Sequence, residues 1–118
     1  MPIEVKRIYE AAEEADGRRI LVDRVWPRGV SKQKAQLDEW LKDITPSTDL
    51  RKWFSHDPDK FEEFKSAYQK ELAAHPEKIR AVDYVQELAE QEKVTLLYAA
   101  KDPVHNHVQV LKEYLEKE

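Results

Sequence analysis

A largely apolar run, Val94–Ala100, stops abruptly at Lys101-Asp102, and Pro103 follows at once. Such a run is typical of a buried strand, and a Pro directly after the charges fits the first turn of a helix. A second stretch has the same outline, because Ile20–Val25 leads into Trp26-Pro27-Arg28-Gly29. Strands that are covered on both faces belong to parallel sheets with helical crossovers. The two stretches therefore predict an α/β fold with charged residues at the ends of its central strands.

Hydrophobic spacing elsewhere in the chain predicts one further strand and five helical segments. Ile3–Tyr9 alternates as an edge strand does, and the short connection after it leaves the direction of that strand open. The first predicted helix is capped by Ser31 and buries Leu37, Trp40, Leu41 and Ile44, and a short second helix carries Leu50, Trp53 and Phe54. The third begins at Asp57-Pro58 and buries Phe61, Phe64, Tyr68 and Leu72, and the fourth begins at Pro76 and buries Ile79, Val82, Val85, Leu88 and Ala89. The fifth begins at Pro103, is capped by Asp102 and buries Val104, Val108, Leu111 and Leu115. We expect residues 1–118 to form a single α/β domain with a small, mainly parallel sheet of about three strands flanked by about five helices.

Composition excludes several classes of protein. The chain has no Cys, which rules out a disulfide framework, a thiolate zinc site and a cysteine nucleophile. It has only two Gly and neither a glycine-rich phosphate loop nor a Gly-x-Ser-x-Gly elbow, so we expect no nucleotide cofactor and no cofactor of another kind. No apolar run approaches the ~20 residues of a membrane span, and the first fifteen residues are too charged for a signal peptide. These features predict a cytoplasmic protein without a membrane partner.

Charge is distributed unevenly along the chain. The net charge is −4, but residues 17–34 carry +5 and the remainder carries −9. The cationic residues of this segment are Arg18, Arg19, Arg24, Arg28, Lys32 and Lys34, against Asp23 alone. The pattern favours a local site for an anionic small molecule or a nucleic acid end over sequence-independent coating of duplex DNA.

Polar residues at the predicted strand ends are the candidates for a site, because ligands of open α/β sheets bind there. The candidate ligand-binding residues are Asp23, Arg24, Arg28, Asp102 and Asn106, and the candidate catalytic residues are His56, His105 and Lys101. Arginine suits a bidentate contact with phosphate or carboxylate. In this hypothesis Arg24 and Arg28 bind the anion, and Asp23 and Lys101 orient it and balance charge. His56, His105 and Asn106 transfer protons or form hydrogen bonds. The reaction would be hydrolysis or group transfer.

Structural explanations of the same residues remain open. Asp102 is a natural helix cap, His105 suits an exposed first helical turn, and Asp23 could form a buried ion pair with Lys101 or Arg28. Trp53 and Phe54, which precede His56, are more typical of a core than of a base-stacking platform.

Two further functions compete with the anion pocket. One is a non-catalytic module that binds single-stranded nucleic acid or an acidic protein through residues 17–34, with Trp26 as an exposed anchor. The other is a metal hydrolase that would require His56, Asp57, Asp102 and His105 to converge. His105 and His107 are two residues apart and lie on different helix faces, so they do not form the i, i+4 metal pair of a helix.

Three blocks of the sequence resemble the YeaO-like branch of the domain-of-unknown-function 488 family. They are Arg19–Gly29, Trp53–Pro58 and Leu96–Asn106. The resemblance covers nearly the whole chain and implies a compact α/β domain of bacterial or archaeal type, with no established reaction. Where the broader family has an ending similar to Cys-His-Arg, this chain has His105-Asn106-His107, so chemistry proposed for that ending does not carry over.

Overall fold

Four parallel strands form one sheet in the computed structural model, which describes residues 3–117. The strands are β1 (Ile3–Arg7), β2 (Arg18–Leu21), β3 (Glu39–Trp40) and β4 (Val94–Tyr98), in the spatial order β1-β4-β2-β3. The helices are α1 (Lys32–Ala35), α2 (Thr48–Phe54), α3 (Phe61–Ala74), α4 (Pro76–Gln91) and α5 (His107–Glu116). Short 3-10 turns lie at Glu14–Asp16, Lys42–Ile44 and Pro58–Lys60. The predicted α/β class is confirmed, with one strand more than expected.

Strand β4 lies in the middle of the sheet, as its sequence predicts. All five of its residues are buried, and it pairs in parallel with β1 on one side and β2 on the other. Arg18 lies opposite Val94 and Leu21 opposite Leu97, so the two apolar strands run side by side in the same direction. Their carboxyl ends therefore meet at one edge of the sheet.

Strand β1 is an edge strand, as predicted, and its direction is parallel. Residues 8–17 carry the chain from the end of β1 past β4 to the start of β2. This connection is too short for a full crossover helix. The 3-10 turn Glu14–Asp16 takes the place of such a helix, and the Thr95 hydroxyl donates to the Asp16 carbonyl at 2.7 Å.

The two faces of the sheet bury different sets of side chains. Leu96 packs in the larger cluster with the helices α3, α4 and α5, whereas Leu97 packs in a smaller cluster with Ala35, Trp26 and Trp40. Neighbouring strand residues point to opposite faces, which explains the division. Helix α3 buries its predicted stripe, with Phe64, Tyr68 and Leu72 enclosed and Phe61 partly so.

The helix predicted after Ser31 is wrong beyond its first turn. Helix α1 ends at Ala35, because Gln36 adopts a left-handed conformation with φ 45°. The chain then extends, and Asp38 and Leu41 donate backbone hydrogen bonds to the carbonyls of Arg19 and Leu21. Pairing with β2 thus converts Glu39–Trp40 into strand β3 instead of a helix.

Two predicted element boundaries are also wrong. Strand β2 ends at Leu21, and Val25, predicted to be strand core, is 63% exposed. The last helix begins at His107 instead of Pro103, because the side chain of Asn106 caps it by accepting from the Gln109 amide at 3.0 Å. Val104 therefore lies outside the helix and is 60% exposed.

Other predictions for the helices have mixed outcomes. Val108, Leu111 and Leu115 of α5 are buried as expected. In α4 the expected burial holds for Val82, Val85 and Ala89, but Ile79 is exposed. Within residues 3–117, no helix has the length and apolar character that crossing a lipid bilayer requires.

Candidate functional site

A cavity of about 810 Å³ opens at the carboxyl ends of β2 and β4. The loop after β2, helix α2 with the segments on either side of it, and the loop after β4 supply most of its lining, and Tyr9, Phe64 and His107 complete it. Ligand sites of open α/β sheets lie at this position, because loop side chains and helix starts converge there. The predicted residues that line it are Asp23, Arg24, Arg28, His56, Lys101, Asp102 and Asn106.

Five cationic side chains line the cavity. Arg24 and Arg28 come from the loop after β2, Arg51 and Lys52 from α2, and Lys101 from the loop after β4. Within residues 3–117 none of the five forms a salt bridge or donates a side-chain hydrogen bond. Their hydrogen-bonding groups are therefore available to a ligand.

The arginines outside the cavity differ from those inside it. Arg7 donates to the carbonyls of Ala99 and Ala100, Arg18 pairs with Glu92, and Arg19 pairs with Asp16. Arg80 on α4 is the exception, since it has no ion pair with any other residue in the 3–117 range. Arginine is usually chosen where bidentate contacts form. The three in the cavity make no such contact within the chain.

The two acidic residues of the cavity are already engaged. Asp23 accepts from the Ala99 amide at 2.9 Å, and its other oxygen lies 3.3 Å from Nε2 of His107. The sequence interpretation of Asp23 as the ion-pair partner of Lys101 or Arg28 is therefore wrong, because the histidine occupies that place. By bonding to Ala99, the Asp23 carboxylate joins the ends of β2 and β4.

Asp102 forms a closed turn with the residues that follow it. Its carboxylate accepts from the amides of Val104 and His105 at 2.9 and 3.0 Å, and lies 2.9 Å from Nδ1 of His105. The backbone amides of His105 and Val104, followed by the His105 ring, lower the pKa of Asp102 to about 2. Asp102 is thus a carboxylate that organises the loop, and it does not cap α5 as predicted.

The three predicted polar residues near α5 have separate positions. His105 does not line the cavity; its ring binds Asp102 and packs edge-on against Phe61 at 5.3 Å. Asn106 lines the cavity, but its amide oxygen caps α5 and its nitrogen donates to the Asp102 carbonyl at 2.7 Å. His56 lies in the cavity wall with a positive φ of 58°.

Sequence reasoning missed three residues of the cavity: Arg51, Lys52 and His107. The first two belong to α2, so the rule that ligands bind at strand ends does not indicate them. The sequence did contain an indication of the position of His107. An Asn before an apolar helical repeat is a strong helix cap, and a cap at Asn106 places His107 in the first turn of the helix, near the carboxyl ends of the strands.

The cavity also has an apolar wall. Its apolar residues include Pro27, Val25, which is 63% exposed, and the almost fully buried rings of Phe54 and Phe64, which stack with centroids 4.2 Å apart. Trp26 is half-buried: its Nε1 donates to the Val30 carbonyl at 2.7 Å and its ring packs edge-on against Trp40. Trp26 is therefore not the exposed anchor that the binding-module hypothesis requires.

The metal-hydrolase hypothesis is wrong for this arrangement. It requires His56, Asp57, Asp102 and His105 to lie within ligand distance of one another. Residues 3–117 contain no group of three or more His, Asp or Glu side chains that could hold a metal ion. Asp57 instead caps the 3-10 turn Pro58–Lys60 by accepting from the Asp59 amide at 3.0 Å.

Comparison with known proteins agrees with the resemblance drawn from the three sequence blocks. The chain is 45% identical over 115 residues to the uncharacterized protein YeaO of Escherichia coli, covering 98% of this chain and 97% of that protein. It is 37% identical over 113 residues to the uncharacterized protein Rv3073c of Mycobacterium tuberculosis, covering 96% and 92%. No solved structure matches it. The sequence profile described as "Inactive DUF488-N3 subclade" matches residues 2–118. The chain belongs to this family, the YeaO-like branch of the DUF488 proteins.

Proposed function

We propose that this protein binds an anionic small molecule, a phosphate ester of nucleotide size, in the cavity at the carboxyl ends of β2 and β4. One observation carries the proposal: Arg24, Arg28 and Arg51 line one cavity, and none of them has a partner within residues 3–117. A phosphate accepts bidentate hydrogen bonds from guanidinium groups and balances their charge. Lys52 and Lys101 add to the positive potential around the anion.

The size and lining of the cavity favour an organic phosphate over inorganic phosphate. A volume of about 810 Å³ falls in the range of pockets that hold small organic ligands. Among the apolar side chains of the lining, Val25 is 63% exposed and offers surface for a base or a similar flat group. A ligand with a charged end and an aromatic end would use both parts of the lining.

Binding without turnover is the role that the geometry supports best. Of the predicted catalytic residues, His105 lies outside the cavity and its ring is bound to Asp102. Lys101 and His56 have no general base or acid hydrogen-bonded to them within residues 3–117. Nucleophilic or acid–base catalysis needs such a pair within hydrogen-bond reach. The description of the family as an inactive subclade also supports a binding role. Hydrolysis or group transfer is therefore the less favoured hypothesis.

The proposal can be tested by calorimetry and thermal shift with the wild-type protein. The probes are adenosine monophosphate, adenosine, ribose 5-phosphate, inorganic phosphate and a short single-stranded oligonucleotide with a 5′-phosphate. We expect the nucleotide to bind more tightly than adenosine or phosphate alone, and to be recovered unchanged after incubation. No binding by any probe would refute the proposal, and preference for the oligonucleotide would favour the nucleic-acid module.

Matched arginine variants separate the cavity from general surface charge. Arg24→Ala and Arg51→Ala each remove a charge-assisted contact, which is worth roughly 1.5–3 kcal/mol, so affinity should fall about ten-fold or more. Arg80→Ala is the control, because Arg80 is likewise unpaired within the described chain but lines a different surface hollow with Tyr84. Equal losses in all three variants would contradict the assignment of the cavity.

A further inference from the structure

His107 is the residue that connects the base of the cavity to the core. It is the first residue of α5, lines the cavity and is largely buried, with 18% of its side chain exposed. Its ring lies between the end of β2 and Tyr68 of α3, with a ring-centroid distance of 6.4 Å to Tyr68. This histidine is therefore held by the protein and at the same time belongs to the lining of the cavity.

The contacts of His107 decide which ring nitrogen carries the proton. Nε2 lies 2.6 Å from the Val22 carbonyl oxygen, which can only accept, so Nε2 carries a hydrogen and donates it. The same nitrogen lies 3.3 Å from a carboxylate oxygen of Asp23. In the neutral ring Nδ1 is therefore an acceptor, and in the protonated ring it becomes a second donor.

Nδ1 of His107 is available for a hydrogen bond with a ligand. It has no hydrogen-bond partner within residues 3–117. In that range the only enclosed side-chain nitrogen or oxygen without a partner is Nε of Arg18. Nδ1 of His107 is therefore not enclosed, and the cavity is the accessible space that this side chain lines.

We infer that His107 is a ligand-binding residue of the cavity, whose protonated Nδ1 donates a hydrogen bond to the bound anion. The inference rests on the proposed function, because it assigns a further contact to the same ligand. Asp23 supplies the counter-charge of the protonated ring, and the Val22 carbonyl keeps Nε2 in place in both states. Charge-assisted hydrogen bonds are stronger than neutral ones, so the protein should bind anions more tightly when His107 is protonated.

The other groups around His107 bear on this pH dependence. Asp23 faces it from the end of β2, and Tyr68 faces it from α3. The remaining charged or titratable residues of the cavity are Arg24, Arg28, Arg51, Lys52, Lys101, Asp102, His56 and Tyr9. Of these, only His56 belongs to a residue type that ordinarily titrates between pH 5 and pH 8. A variant of His56 is therefore needed as a control.

The test measures the affinity of sulfate by calorimetry at about pH 6 and about pH 8, on the two sides of the histidine range. Sulfate remains a dianion over this interval, so the charge of the probe does not change. Wild-type protein should bind roughly ten-fold more tightly at the lower pH. In His107→Gln the amide can still donate to Val22 but does not titrate, so the ratio between the two pH values should fall to about one.

The controls are His56→Gln, in the cavity, and His105→Gln, two residues away but outside it. Both should retain the wild-type ratio. Equal sulfate affinity at the two pH values in wild type, or an unchanged ratio in His107→Gln, would overturn the inference while leaving the anion pocket intact. Absence of sulfate and nucleotide binding at both pH values would instead refute the proposed function.

A second measurement does not depend on the folding of a variant. NMR titration of the wild-type imidazoles, with and without saturating sulfate, follows the protonation of each histidine directly. If His107 donates to the anion, sulfate should shift the titration midpoint of His107 upward by linkage and leave that of His105 in place. An unchanged midpoint for His107 in the presence of bound sulfate would overturn the inference.

Discussion

Gly17 is the residue on which the start of β2 depends. Its φ of +66° and ψ of −132° belong to a region that side-chain-bearing residues avoid. A Cβ at this position would lie 2.4 Å from the carbonyl oxygen of Lys93. That carbonyl accepts the Arg18 amide at 2.9 Å, the bond that starts the pairing of β2 with β4. Only glycine lets the two chains approach this closely.

We expect Gly17→Ala to lower the free energy of unfolding by about 2–4 kcal/mol, from backbone strain and from displacement of Lys93. Gly29→Ala is the matched control, because Gly29 also has a positive φ, +75°, but has nothing within 4 Å of the added methyl. That variant should lose about 1 kcal/mol. Urea unfolding of both variants is the measurement, and similar losses would contradict the role of the Lys93 contact.

Two successive residues in the wall of the cavity have left-handed backbones. Ser55 ends α2 with φ 47°, and His56 follows with φ 58°. For residues other than glycine this conformation costs about 1–2 kcal/mol. Such strain is often found at binding sites, where it directs side chains toward a ligand.

Replacing Ser55 by Gly should therefore stabilise the protein by about 0.5–1 kcal/mol. The substitution relieves the backbone strain, and the larger conformational entropy that glycine loses on folding offsets part of this gain. Ser66→Gly tests the opposite case, since Ser66 is exposed in the regular part of α3 and glycine there should destabilise by about 0.5 kcal/mol. Thermal unfolding distinguishes the two. A loss of stability in Ser55→Gly would show that the turn is unstrained.

Helix α5 and the loop before it are held by two different polar residues. Asn106 caps the helix, while Asp102 closes the preceding turn through the amides of Val104 and His105. Pro103 follows Asp102, so the sequence favours a helix start there. The chain starts the helix four residues later, where Val108 and Leu111 reach the core. Burial of these side chains outweighs the local preference.

The pH dependence of stability should reveal the Asp102 turn. Because the pKa of this carboxyl is held at about 2, below its ordinary 3.8, the charged form stabilises the folded state above the ordinary pKa. That contribution is lost as the pH falls through 3.8 toward 2. We expect the stability difference between wild type and Asp102→Asn, measured by urea unfolding, to shrink between about pH 5 and about pH 2.5. A difference that is constant over this range would contradict the assignment.

Charged residues across the whole molecule fall into two groups. Beside the start of β2, Asp16 is buried and accepts from Lys6 and Arg19, and Arg19 also donates to the Ala35 carbonyl. At the carboxyl ends of the strands, Arg24 and Arg28 have no such partner within the range 3–117. A buried charge that loses its partner is strongly destabilising, and a cluster of like charges without counter-ions is electrostatically unfavourable unless an anion binds.

Removing Asp16 should destabilise the protein strongly, because Arg19 would keep a buried charge without a counter-ion and Lys6 would keep only the exposed Glu13. We expect Asp16→Ala to lower the free energy of unfolding by roughly 3–5 kcal/mol. Glu13→Ala is the control, since Glu13 also pairs with Lys6 at 2.9 Å but its side chain is 67% exposed, and its loss should be below about 1 kcal/mol. Denaturant titration of the pair tests this, and comparable losses would contradict the structural role of Asp16.

Local patterns in the sequence determined the main elements. The apolar runs gave two adjacent parallel strands, and the spacing of Phe64, Tyr68 and Leu72 gave the buried face of α3. Asp23, Arg24 and Lys101, which follow these strands, line one cavity because the ends of parallel strands meet at one edge, whereas His105 lies outside it. Each of these features depends on residues close together in the chain, and for that reason the sequence alone predicts them.

Tertiary contacts decided the rest. Glu39–Trp40 became a strand because β2 offered unpaired backbone groups, and Asp23 found His107 rather than a neighbouring cation because α5 docks beside the end of β2. Arg51 reached the cavity through the packing of α2. Partners of this kind lie tens of residues apart in the chain, and no local preference specifies them. They are selected by the burial of apolar surface and by the requirement that enclosed polar groups be hydrogen-bonded.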